Sequence, residues 1–260
     1  MTAGQLAILS LLSTAGVTSL LYLAARPAPP ARVAGPGFIP LLGRWAYFVS
    51  RPVLRAASAL GITANGMTAI GLALTIAAAA LAALRLWGLS AVVLVFGSWC
   101  DLLDGELART TSTQSPAGAF LDSNLDRISE ITLFAGLGWA FTDRSGTFWA
   151  AGATVASLMV SYARARGEGL GVDCPTFGLE RPHRLVTMMF TLIAAEFLAA
   201  DRALWLVELV CVLVTVGAGA TAVARMLVIH RLLRLREDER KTEARRLQEA
   251  TPRPGTGTGP

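Results

Sequence analysis

The chain has 260 residues, of which 53% are hydrophobic and only 16% charged, with a formal net charge of +5. Soluble globular proteins carry roughly 25% charged residues, so this composition excludes a disordered chain, a collagen-like repeat and an ordinary soluble enzyme, and predicts an all-α polytopic membrane protein. All but one of the 23 basic residues are Arg, and Cys100, Cys174 and Cys211 form no CxxC pair, which argues against a disulfide framework or a thiolate zinc site.

Taken in chain order, residues 4–25 are an uncharged run of spanning length. A signal peptide would carry a basic n-region and a small-residue cleavage site; neither is present, and the run reads as a retained membrane helix. Residues 26–38, RPAPPARVAGPGF, form a Pro/Gly hinge. Residues 39–60 mix Arg44, Arg51 and Arg55 with Trp45, Tyr47, Phe48 and Leu54, the pattern of an amphipathic helix on the membrane surface. Further spans are predicted near 64–84, 88–109, 117–141, 148–166, 184–200 and 203–230, joined by short loops. A charged helix follows to about 250, with Glu/Arg pairs at helical spacing, and then a disordered tail, TPRPGTGTGP.

Charge placement orients this bundle. Arg85, Arg144 and Arg202 lie singly in the loops of one side, beside Trp87, Trp149 and Trp205; nearly all other Arg falls on the opposite side. The positive-inside rule puts that opposite side in the cytoplasm, and the Trp residues form an outer aromatic belt. A basic balance in so apolar a chain points to anionic membrane lipids or a phosphorylated substrate, with no nucleic acid.

The chemistry-bearing stretch is 98–127, SWCDLLDGELARTTSTQSPAGAFLDSNLDR. Asp101 and Asp104 share a helix face with Ala108, and Gly105 keeps that face low. Gly118, Asp122 and Asp126 step by four along the next helix, after a turn near Ser115-Pro116. Four carboxylates therefore converge near the ends of two spans. Such acids are costly in a membrane and repel one another unless they are compensated. Hard divalent cations are the simplest compensation, and no His lies in the cluster to favour zinc. Metal beside Gly105 and Arg109 suggests a phosphate or pyrophosphate ligand. Two other readings of these acids remain open on charge alone: an ion-coupled transporter, which would place them nearer the midplane on repeated, broken helices, and a structural network with Arg109 and Arg127.

Written out, the run is D-x2-D-G-x2-A-R-x8-G-x3-D-x3-D from Asp101 to Asp126, and it resembles the signature of the CDP-alcohol phosphatidyltransferase family. The resemblance covers roughly 40–235. It implies an integral membrane enzyme of six core spans, usually a homodimer, that transfers a phosphatidyl group from a CDP-lipid such as CDP-diacylglycerol to an alcohol and releases CMP. It implies two divalent ions, Mg²⁺ or Mn²⁺. Asp101, Asp104, Asp122 and Asp126 would be metal ligands, with Asp126 also the general base. Gly105, Ala108, Arg109 and Gly118 would shape the CDP pocket. Asn65 and Thr68, in a weaker match to a Thr-Pro-Asn segment from which Ala64 departs, would lie near the pyrophosphate; Asn65 is otherwise a good helix N-cap.

The stretch 161–185, SYARARGEGLGVDCPTFGLERPHRL, brings two Arg clusters to one cytoplasmic mouth. Arg holds phosphate bidentately and stays charged, which favours a phosphorylated acceptor. The stretch is similar to the phosphatidylinositol-phosphate synthase branch of the family, with Arg164 where Lys is common. Arg164 and Arg184 would then bind the phosphate of inositol 1-phosphate; glycerol 3-phosphate carries the same handle. Three units are expected: 1–38 as an extra membrane helix and hinge, 39–235 as the catalytic core, and 236–260 as a charged helix and tail. The active site would face the cytoplasm from the cell membrane. Trp99 reads as packing and Cys100 as a small buried hydrophobe. Glu196, alone in an apolar run, faces either the bundle interior or a dimer partner.

Overall fold

A computed structural model describes residues 1–25, 38–174 and 176–250, without the side chains of 38–43, 244–245 and 247–250. The hinge expected at 26–38 and the tail after 250 therefore lie outside the described residues, apart from the backbone of Phe38. The described chain is helical, with no strand: α1 (Ala3–Ala25), α2 (Phe38–Ala59), α3 (Ala64–Ala83), α4 (Trp87–Thr110), α5 (Pro116–Ala140), α6 (Arg144–Gly169), α7 (Arg181–Glu196) and α8 (Ala200–Ala250). The protein is a multi-pass membrane protein. Among the described residues, four helices are long and apolar enough to cross a bilayer: α1, α3, α4 and the stretch Ala200–Glu243 of α8. The sequence predicts seven crossings. The shortfall of three has a physical cause: α5 carries Asp122, Asp126, Arg127 and Glu130, α6 is diluted by Gly, Ser and Thr and ends in Arg164 and Arg166, and α7 has only 16 residues, with Arg181, Arg184 and Glu196 among them. Residues that serve a polar mouth dilute the apolar run that marks a span.

Local chemistry explains where the helices start. Thr63 caps α3 by accepting the Gly66 N–H at 3.1 Å, Ser115 caps α5 by accepting the Gly118 N–H at 3.0 Å, and Asp143 caps α6 through the Ser145 and Gly146 N–H groups. Pro116 follows its cap in the first helical turn, where a missing N–H costs nothing. Asn65 is thus corrected as a cap: Thr63 takes that place, and Asn65 stands exposed in the first turn.

Apolar side chains have little to gain by leaving lipid for protein, so membrane helices associate where small residues let backbones meet. A methyl added at Gly97 would lie 3.2 Å from the Gly71 carbonyl oxygen, and one at Gly136 would strike the Ala79 carbonyl. These contacts bring α3 against α4 and α5. The core between the helices is built on Leu94, Leu137, Leu192, Val207 and Cys211, all fully buried. Beside it, Leu54 and Ala57 of α2 pack with Met67, Leu103 and Leu107. Helix α8 continues unbroken from its apolar part into the charged segment after 235.

Candidate active site

Helices α4 and α5, both packed against α3, place the four motif acids at one end of the bundle. Asp104 is buried, and the Thr68 hydroxyl of α3 donates to its Oδ2 at 2.7 Å. Asp101 lies against Gly71 so closely that a methyl there would sit 2.8 Å from Oδ1. Asp122 and Asp126, one turn apart, face the same mouth from α5 and are half-buried. All four carboxylates lie within electrostatic reach of one another.

The cation among them is Arg181, at the start of α7. Its Nη2 lies 2.8 Å from Asp101 Oδ2 and 2.9 Å from Asp126 Oδ1, so one guanidinium joins α4 to α5. Among the described residues no three His, Cys, Asp or Glu side chains converge tightly enough to hold an ion. The donor set nevertheless fits a hard divalent cation: four carboxylates with a Thr hydroxyl behind one of them. An incoming metal would take over the charge compensation that Arg181 supplies, and Arg181 would yield its two carboxylates.

The small motif residues lie at the rim of the same mouth. The Arg109 guanidinium passes over Gly105, where an added methyl would sit 3.4 Å from Nη1, and Arg109 pairs with Glu106 at 2.9 Å. Ala108 is partly exposed on the same helix. Gly118 lies beside Asn65, whose Oδ1 would be 3.5 Å from an added methyl, so the N-termini of α3 and α5 meet at the rim. Asn65, Thr68, Gly105 and Gly118 are thus gathered with the acids.

The two Arg residues expected at the acceptor part company. Arg164, half-exposed at the end of α6, pairs with Glu168 at 2.8 Å. Arg184 is 1% exposed and is not at the open mouth. Its Nε and Nη2 donate to the two Glu130 oxygens at 2.6 and 2.8 Å, and Nη1 donates to the Leu179 carbonyl at 2.6 Å. That is a correction with a plain cause: Glu130 sits one turn beyond Asp126, on the inward face of α5, and needs a cation inside the bundle. Arg181, three residues earlier on α7, stands at the mouth instead.

Two further groups went unmarked in the sequence. Arg225 of α8, 1% exposed, donates to the Val160 carbonyl at 3.1 Å, to the Phe177 carbonyl at 3.3 Å and to Glu180, with its guanidinium 5.6 Å from the Phe177 ring centroid. It ties the α6–α7 loop to α8 just before Arg181. The other is Glu130, the partner of Arg184. Their signal was present: an ionisable residue inside an apolar helix implies a partner. Sequence periodicity does not say which partner.

Comparison with known proteins follows the same lines. Residues 61–219 match the family model described as CDP-alcohol phosphatidyltransferase. An archaetidylinositol phosphate synthase of Pyrococcus horikoshii is 34% identical over 153 residues, covering 58% of this chain and 79% of that protein. A phosphatidylinositol phosphate synthase of Mycolicibacterium smegmatis is 38% identical over 161 residues, covering 57% and 70%. The crystal structure of the Mycobacterium tuberculosis phosphatidylinositol phosphate synthase with CDP-DAG bound superposes with a TM-score of 0.63 at 29% identity, covering 70% of this chain and 93% of that one. The same enzyme in complex with manganese and citrate gives 0.63 at 30% identity, covering 68% and 87%. The family match takes in the motif acids, Arg164, Arg181 and Arg184. It leaves out α1, α2 and Arg225.

Proposed function

The chain belongs to the CDP-alcohol phosphatidyltransferase family, and from that premise we propose that it moves a phosphatidyl group from CDP-diacylglycerol, or a related CDP-lipid, to inositol 1-phosphate with release of CMP. The observation that carries this reading is the mouth itself: four motif acids from α4 and α5 face a guanidinium from α7. The relatives named for inositol-phosphate transfer support the choice of acceptor.

Asp101, Asp104, Asp122 and Asp126 are the proposed ligands of two divalent ions, Mg²⁺ or Mn²⁺. When bound, these would neutralise the pyrophosphate and stabilise departing CMP. Thr68 orients Asp104. Gly105, Ala108 and Gly118 leave room for the cytidine diphosphate, with Arg109 and Asn65 at its edge. Asp126 accepts the proton of the acceptor hydroxyl as its oxygen attacks the lipid-bearing phosphorus, and the bond from that phosphorus to CMP breaks. Arg164 and Arg181 hold the acceptor's phosphate, Arg181 from the mouth and Arg164 from the end of α6, and Arg184 fixes α7 from within.

In the same reading α3–α8 are the six crossings of the catalytic core, within 39–235. Helix α1 is an additional crossing, α2 lies on the membrane surface, and the charged end of α8 lies outside the bilayer. The mouth opens to the cytoplasm from the cell membrane, because Arg44, Arg51, Arg55, Arg164, Arg166, Arg231, Arg234 and Arg236 flank that side. The working unit is a homodimer.

The test is CMP release from CDP-diacylglycerol with Mg²⁺ or Mn²⁺, with inositol 1-phosphate, glycerol 3-phosphate, free inositol and serine offered in parallel. Asp126→Asn serves as the blank, expected to lose turnover by at least roughly a hundredfold while still binding the CDP-lipid. Release with inositol 1-phosphate alone is the expected result. Release with glycerol 3-phosphate alone would replace the acceptor, and release with none would remove the reading.

A further inference from the structure

Glu196 is a carboxylate in the last turn of α7, at the bundle end opposite the acid mouth. The C-terminal end of a helix is its negative end, so α7 itself offers this side chain nothing. Two other helices do. The Gly88 N–H, in the first turn of α4, donates to Glu196 Oε2 at 2.8 Å, and the Thr2 hydroxyl donates to Oε1. Thr2 is in turn the cap of α1: it accepts the Gln5 N–H at 3.1 Å, and its own N–H donates to Gln5 Oε1 at 3.1 Å. This reciprocal pair is a capping box. The positive ends of two helices thus meet on one carboxylate.

Sterics make the junction selective. A methyl added at Gly4 would lie 2.6 Å from the Glu196 carboxylate, and one at Gly88 would lie 2.8 Å from Gly4 Cα and 2.9 Å from the Glu196 side chain. Elsewhere α1 has little grip. Its buried residues are Gly4 and Ile8, both within its first two turns.

The far end of α1 reaches α2, where the Tyr22 and Phe48 rings lie 5.7 Å apart. Two residues on, the buried Ser50 accepts the Trp99 indole N–H at 3.0 Å, and Trp99 precedes Asp101 by two positions on α4. Leu54 and Ala57 of α2 pack with Leu103 and Leu107, which bracket Asp104. At 1.5 Å per residue, Gly4 and Tyr22 stand about 27 Å apart. A line of contacts therefore runs from one membrane face to the other and ends beside the motif acids.

We propose that Glu196 is a positioning residue of the transferase: it locks the N-terminus of α1 onto α4 and α7, and α1 then acts as a strut that holds α2 against α4 on the donor side of the mouth. The proposal rests on the donor assignment made above. It predicts an effect on one substrate only. Helix α2 packs on α4, where the CDP-lipid is to be received, whereas the acceptor's Arg groups stand on α6 and α7.

The experiment is a double-mutant cycle on the full-length protein, with melting curves in parallel. CMP release is measured with CDP-diacylglycerol varied at saturating inositol 1-phosphate, and then the reverse. Glu196→Ala and Phe48→Ala are each expected to raise the donor KM by roughly fivefold and to leave the acceptor KM within about twofold. The double variant should match the more severe single, because both cut one strut. Glu196→Gln keeps the side-chain length and one acceptor oxygen for the Gly88 N–H, while its amide NH2 can donate to the Thr2 hydroxyl oxygen, and should restore part of the donor KM. Gly4→Val attacks the lock from the α1 side with Glu196 intact, and it takes the place of Glu196→Ala in the cycle if that variant does not fold. Multiplying effects in the double variant would overturn the strut, as would equal shifts in both KM values or an unchanged donor KM in a folded lock variant. No release by the wild-type protein would instead overturn the donor assignment, which separates the two failures.

Discussion

At the scale of single residues, the mouth is organised by a competition for charge. Four carboxylates close together demand a cation, and Arg181 supplies one by bridging Asp101 and Asp126. Divalent metal would supply the other. The two solutions share ligands, so removing Arg181 should make the fold lean on metal. Arg181→Gln is expected to lower stability by roughly 1.5–3 kcal/mol in chelator, the range for hydrogen bonds to charged groups, and by distinctly less in Mn²⁺. Melting curves in EDTA and in Mn²⁺ check this; equal losses in the two would show that metal and Arg181 do not share the acids. Arg184 has a different task. Bound at both oxygens of Glu130 and fully buried, it stabilises the join between α5 and α7.

At the scale of elements, the α4–α5 connection decides, with α3 packed against both helices, whether the acids meet. Its turn is short, with Ser112 at a positive φ of 53° and Ser115 extended as the cap of α5. The cap orients the first turn, which carries Gly118, and through it the register of Asp122 and Asp126. Ser115→Ala should cost about 1 kcal/mol and lower turnover more than it lowers the melting temperature would suggest. Ser115→Asp, also a good cap, should recover both. A variant that loses stability with turnover per folded molecule unchanged would show that the cap serves the fold alone. Helix α7 illustrates the converse. It is short because both its ends are committed, Arg181 to the mouth and Glu196 to the helix junction on the other side.

At the scale of the whole molecule, the bundle has two polar ends with an apolar interior between them. One end gathers the motif acids around Arg181, and the other gathers helix N-termini on Glu196. Helix α1 lies outside the family match and joins these ends along the flank of α4. Deleting residues 1–36 should therefore leave a protein that still turns over in detergent, with the donor KM raised and the acceptor KM unchanged. Steady-state kinetics on the truncated and full-length proteins check this. Complete loss of turnover from a folded truncation would make α1 part of the catalytic unit itself.

Composition and hydropathy suffice to identify a membrane helix bundle, because a bilayer imposes its length and polarity on every crossing segment. The acid motif was legible for a related reason: its residues lie within 26 positions on two consecutive helices, so helical spacing alone brings them to one mouth. Positions 65, 68 and 118 also fall beside the acids, and the cap that Asn65 could supply is provided by Thr63, since both types favour that place and only backbone angles distinguish them. The distant pairings belong to the tertiary structure alone. Arg184 with Glu130, Arg225 with Glu180, Arg181 between Asp101 and Asp126, and Glu196 with Thr2 and Gly88 each join helices far apart in sequence. A buried charge announces that it needs a partner; how the helices pack decides which partner it meets.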